Sequence, residues 1–166
     1  MPVLVPFLFF CQALGASVGV LTAVWSEVAY VRAMRDGKVD HAERIHLNAL
    51  AKGLRFGMTL VLLASLGLVV TAYLLGGAAQ PAFSASYWIT IALSLLIIGT
   101  TWALSRGRIT FALGSATVFT AWWFLAYLTI GWLPSLSFGS AVALLVFATA
   151  TFYAFLQYGR FIVLRK

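Results

Sequence analysis

All eleven Lys and Arg residues of this chain fall into three clusters, and between them lie two charge-free stretches, 56–105 and 109–159, of about fifty residues each. A soluble domain carries roughly 25% charged residues; here 9% are charged and 63% are hydrophobic. Each stretch holds two apolar runs of about the twenty residues that cross a bilayer, joined by a Gly- and Ser- or Pro-bearing link, and another run precedes the first cluster. The chain therefore reads as all-α, a single integral membrane bundle of five transmembrane helices over 1–166. The spans fall at about 3–25, 56–75, 87–105, 109–131 and 138–159.

The bases also set an orientation. Arg32, Arg35, Lys38, Arg44, Lys52 and Arg55 flank the first loop, Arg106 and Arg108 the third, and Arg160, Arg165 and Lys166 the tail. The second and fourth loops have none. The positive-inside rule then expects the N-terminus outside and the C-terminus in the cytoplasm, as an odd number of spans requires. The net charge of +7 thus orients a membrane protein, and nucleic acid is not an expected partner. The expected partner is the lipid bilayer, with a second copy or another membrane subunit as the protein partner.

The first apolar run lacks a basic leader and continues to Trp25, so it is taken as a span and not as a cleaved signal. Cys11 follows Leu8-Phe9-Phe10, bulky where lipoprotein processing wants small residues. Asp36-Gly37-Lys38 marks a tight turn, and Asp40 with Glu43 reads as a helix cap and its capping-box partner. A helical hairpin over about 27–55 should then extend beyond the membrane on the cytoplasmic side. Gly15-x-x-x-Gly19 and Gly53-x-x-x-Gly57 would let the first two helices pack closely. Tyr87, Trp88, Trp132 and Tyr158 fall at span ends, where amphipathic rings prefer the headgroup level. Trp122, Trp123 and Tyr127 fall within a span and are candidate aromatics for a flat lipophilic ligand; ordinary packing is their other reading.

Acid, base and metal chemistry is confined to one region. Glu27, Asp36, Asp40, Glu43, His41 and His46 all lie between residues 27 and 46. Folding the hairpin about Gly37 and Lys38 brings Arg32 opposite Glu43 and Glu27 near Asn48, with Lys52 one turn further. Glu27, Asn48, Lys52 and Arg32 thus form a candidate intramembrane polar site, either a structural ion network or a proton or cation relay through Glu27. Glu43-x-x-His46 has the spacing of a di-metal ligand pair with Glu27 as a third ligand, but the second such pair is missing. Haem held by two intramembrane histidines and retinal on a mid-span lysine are excluded, because no span contains either residue. No cofactor is predicted.

Glu43-Arg44-Ile45-His46-Leu47-Asn48, opening the second helix, resembles the membrane-associated eicosanoid and glutathione metabolism family. That resemblance implies a glutathione-dependent membrane transferase, with Arg44 and Asn48 touching the thiol peptide. The chain departs from the family at Ala51-Lys52, lacks the Arg/Tyr set of its third helix, and has five spans against four. Residues 12–75, with Leu14-Gly15 and Ser26-Glu27, also resemble a loose group of small bacterial polytopic membrane proteins, which implies bacterial origin and no particular activity. The expected function is a non-enzymatic binding, transport or assembly subunit of a bacterial inner membrane. A glutathione transferase and a proton-coupled carrier or channel using Glu27 are the alternatives.

Overall fold

A computed structural model describes residues 3–36, 41–76, 80–133 and 136–164, with the side chains of 33–36, 41–48, 50, 163 and 164 excluded. It has no strand among the described residues. The helices are α1 (Leu4–Asp36), α2 (His41–Leu74), α3 (Ala85–Ser105), α4 (Phe111–Ile130) and α5 (Phe138–Leu164), with one 3₁₀ turn at Pro81–Phe83 before α3. All five are long and apolar enough to cross a membrane.

The 33 and 34 residues of α1 and α2 make rods of about 50 Å at 1.5 Å per residue, against a hydrocarbon core of about 30 Å. Both helices thus run without a break past the length a bilayer needs. Their connection, with the expected turn and the Asp40 cap, lies outside the described residues.

The α1–α2 seam is built on glycine. A Cβ on Gly15 would stand 2.8 Å from the Gly57 carbonyl oxygen, and one on Gly57 would stand 2.7 Å from that of Gly15. Backbone meets backbone, so no side chain fits between. In a bilayer, where burying apolar surface between helices brings no transfer gain, this close van der Waals contact is what holds helices together.

Helix α4 packs against α1, α3 and α5 and carries the centre of the core. Trp122, Leu125 and Ala121 are fully buried, and Val61, Leu93 and Ile97 join them from α2 and α3. The ring of Trp122 lies over Gly19, where a Cβ would come within 2.0 Å of it. Buried hydroxyls satisfy themselves within their own helices: Ser65 donates to the Val61 carbonyl at 2.7 Å, Ser94 to Thr90 at 2.9 Å and Thr120 to Ala116 at 2.8 Å. An apolar surrounding demands such internal partners.

Helix ends follow the sequence's punctuation. At Gly107 (φ 65°) and Gly131 (φ 78°) a left-handed residue lets the next amide turn back. Arg108 N–H donates to the Ala103 carbonyl at 3.0 Å and Trp132 N–H to Tyr127 at 3.1 Å, which closes α3 and α4 by the Schellman arrangement.

Candidate functional site

At the base-rich end, three helices meet on one arginine. Arg160, in the last turns of α5, is buried, and its Nη2 donates to Glu27 Oε2 of α1 at 2.7 Å and to Ser115 Oγ of α4 at 2.7 Å. Tyr30, one turn after Glu27, stacks on Phe111, one turn before Ser115, with ring centroids 3.9 Å apart and planes at 22°. The guanidinium carbon sits 5.1 Å and 5.4 Å from the Tyr30 and Phe111 ring centres. Helical spacing therefore supplies a carboxylate, a hydroxyl and two π faces around one cation. Arg160 Nε is buried without a hydrogen-bond partner, so the guanidinium is not fully satisfied. An apolar cleft of about 280 Å³ between α1 and α5, lined by Val28, Val31, Phe155 and Leu156 among others, ends on the pair.

The hairpin reading placed Glu27 near Asn48, whose side chain lies outside those described. The ion-pair partner of Glu27 among the described residues is Arg160, which the sequence analysis counted only as a topology-setting base, whereas Arg32 and Lys52 are exposed. A local contact of α5 with α1 and α4 brings a residue 133 positions away beside Glu27. The side chains of Asn48, Glu43 and His46 lie outside those described, so the metal triad and the glutathione motif do too.

At the opposite end, α1 to α4 surround a cleft of about 330 Å³ whose walls include Gln12, Gln80, Ser84, Ser86, Tyr87, Thr90 and Thr129, with Phe9, Leu68 and Leu128 as its apolar part. Gln12 is buried and donates from Nε2 to Ser65 Oγ at 2.9 Å, tying α1 to α2. The mouth is ordered by the loop: Ser84 caps α3 by accepting from Tyr87 N–H at 3.3 Å, and Trp88 Nε1 donates to the Ala82 carbonyl at 2.8 Å. Among the described residues no charged side chain lines it. Gln12 was missed in the sequence, although an uncharged amide within an apolar span was the available signal.

Trp122 separates the two sites. It lies seven residues from both Thr129 and Ser115 along α4, while Gly19 beneath it lies seven from Gln12 and eight from Glu27 along α1. Each interval is two turns, about 10 Å. Of the candidate ligand aromatics, Trp122 is thus covered on all sides and its Nε1 is buried without a partner. Trp123 and Tyr127 belong to another face, a row in which Phe152, Phe119, Trp123, Tyr127 and Trp132 follow one another at centroid distances of 5.1 to 6.3 Å.

Comparison with protein-family models, curated proteins and solved structures gives no match.

Proposed function

We propose that the chain is a non-enzymatic subunit of a bacterial inner membrane that binds a small, uncharged, hydrogen-bonding molecule within the bilayer, for transport or assembly. Its N-terminus lies outside and its base-rich end in the cytoplasm. What supports the reading is a mostly apolar cleft whose lining includes the amide of Gln12 and the hydroxyls of Thr90 and Thr129, with no charged side chain among the described lining residues. Its volume falls in the range of small-molecule sites, its amide and hydroxyls offer orientation, and its apolar wall offers area. Gln12 lies about 12 Å along α1 from Leu4, so a bound molecule sits well below the membrane surface. The Trp122–Gly19 septum and the Arg160–Glu27 clamp close the route onward, which favours occupancy over free flow.

Two measurements test this. Labels near Gly77 and Ser135 should react only from outside, and those near Lys38 and Lys166 only from the cytoplasm; periplasmic access to the C-terminus would refute the orientation. Solvent extracts of protein purified in mild detergent should contain a neutral hydrogen-bonding molecule in near-stoichiometric amount, reduced about ten-fold in Thr90→Val, the loss of about one hydrogen bond. Extracts that contain only lipid, identical in both proteins, would defeat the binding reading.

A further inference from the structure

A groove of about 580 Å³ lies between α2 and α3 at the base-rich end. Its lining is mostly apolar, with Leu54, Met58, Leu62, Ile97 and Ile98, and also includes Arg55, Thr101 and Ser105 toward the base-rich end. Trp102 forms part of its wall, and the guanidinium carbons of Arg106 and Arg108 both lie on that indole, at 4.5 Å and 4.9 Å from the ring centre. One ring thus gathers two cations at the mouth of a groove that holds a third. Arg55, Arg106 and Arg108 are all exposed, and among the described residues none of them has a carboxylate partner.

We propose that this groove is a binding site for an anionic phospholipid. Acyl chain packs along Met58, Leu62, Ile97 and Ile98, and the phosphate diester rests between Arg55 and the Arg106–Arg108 pair, with the hydroxyls of Thr101 and Ser105 toward the same end. Charge complementarity selects the occupant: arginines next to a membrane-depth apolar groove match a molecule with a negative head and a hydrocarbon tail. A protein helix would bring no phosphate, and a zwitterionic lipid would bring a cation against three others. The indole holds the two guanidinium groups in place before the lipid arrives, so less side-chain freedom is lost on binding.

The test is native mass spectrometry of detergent-solubilised protein with a lipid mixture of equal parts phosphatidylglycerol and phosphatidylcholine. The wild type should retain phosphatidylglycerol preferentially. In Arg106→Gln/Arg108→Gln the retention should fall about 25-fold, roughly five-fold for each base at a membrane surface. Arg32→Gln, which removes a charge outside the groove, should behave as wild type. Equal retention of the two lipids by the unaltered protein, a readout independent of whether any variant folds, would overturn the proposal. So would a loss in Arg32→Gln as large as that in the groove variants, which would mark general charge attraction.

Discussion

Helices α4 and α5 are neighbours of similar apolarity, with mean hydropathies of 1.4 and 1.8 over an 18-residue window of each, yet 44% of that window is buried in α4 against 6% in α5. Hydropathy qualifies a helix to enter the membrane and leaves its place in the bundle undecided, because lipid tails are as apolar as any side chain. What places α4 at the centre is shape. Ala116, Ala121, Ala126 and Gly114 let neighbours approach, and Trp122 fills the space over Gly19. What places α5 at the edge is a short set of attachments: Ala141 in the core at one end, Phe152 against Phe119 midway, and Arg160 on Glu27 and Ser115 at the other.

The contrast is tested most severely at Trp122. Trp122→Ala should destabilise the protein by about 3 kcal/mol, near the lower limit for a buried tryptophan, because in a bilayer the loss is of packing more than of transfer free energy. Gly19→Ala should cost about 2 kcal/mol by overpacking against the indole. The two changes occupy one contact, so the double variant should lose clearly less than their sum in detergent-denaturation titrations. Strict additivity would mean that the ring does not rest on Gly19.

The next largest effect concerns how α5 is fastened. Arg160→Gln leaves the Glu27 carboxylate partly buried without its cation, and should destabilise by about 2 kcal/mol. That lies below the usual range for a broken buried pair because the Glu27 side chain keeps about a tenth of its surface accessible. Adding Glu27→Gln should recover at least half of the loss, since two amides can bond to each other and to Ser115. A double variant as unstable as Arg160→Gln alone would show that the arginine acts through its contacts with Tyr30 and Phe111, not through the charge pair.

These two places differ in how far the sequence displays them. Five spans, the unbroken lengths of α1 and α2 and the glycine seam between them follow from charge spacing, run length and small-residue patterns. Glu27 stands out for the same reason, as an acid at the edge of an apolar run. Its partner does not. Arg160 sits beside Arg165 and Lys166, where a topology-setting base is sufficient explanation, and symmetry about a hairpin compares only adjacent helices. Nor does an all-round apolar helix have a polar face that turns away from the core, so nothing in α4 separates buried Trp122 from half-buried Trp123 before α1 is docked. The cleft at Gln12 was invisible for a similar reason, since Gln12, Thr90 and Thr129 come from three helices that only packing brings together.

The smallest expected effect is the sharpest check on the edge position of α5. Gly159 lies within α5 next to Arg160, and a Cβ built there meets nothing within 4 Å. Gly159→Ala should therefore be neutral or stabilising by up to about 1 kcal/mol, the gain in helix propensity when an interior glycine is replaced. The same substitution at Gly57, on the α1–α2 seam, places its methyl group against the Gly15 carbonyl oxygen, a backbone atom that cannot swing aside, and should be destabilising. The two variants share one chemistry and differ only in what faces the new methyl group. If Gly159→Ala were as damaging as Gly57→Ala, a second copy or another subunit would have to lie against that side of α5 in the membrane, and the helix would be peripheral in the single chain only.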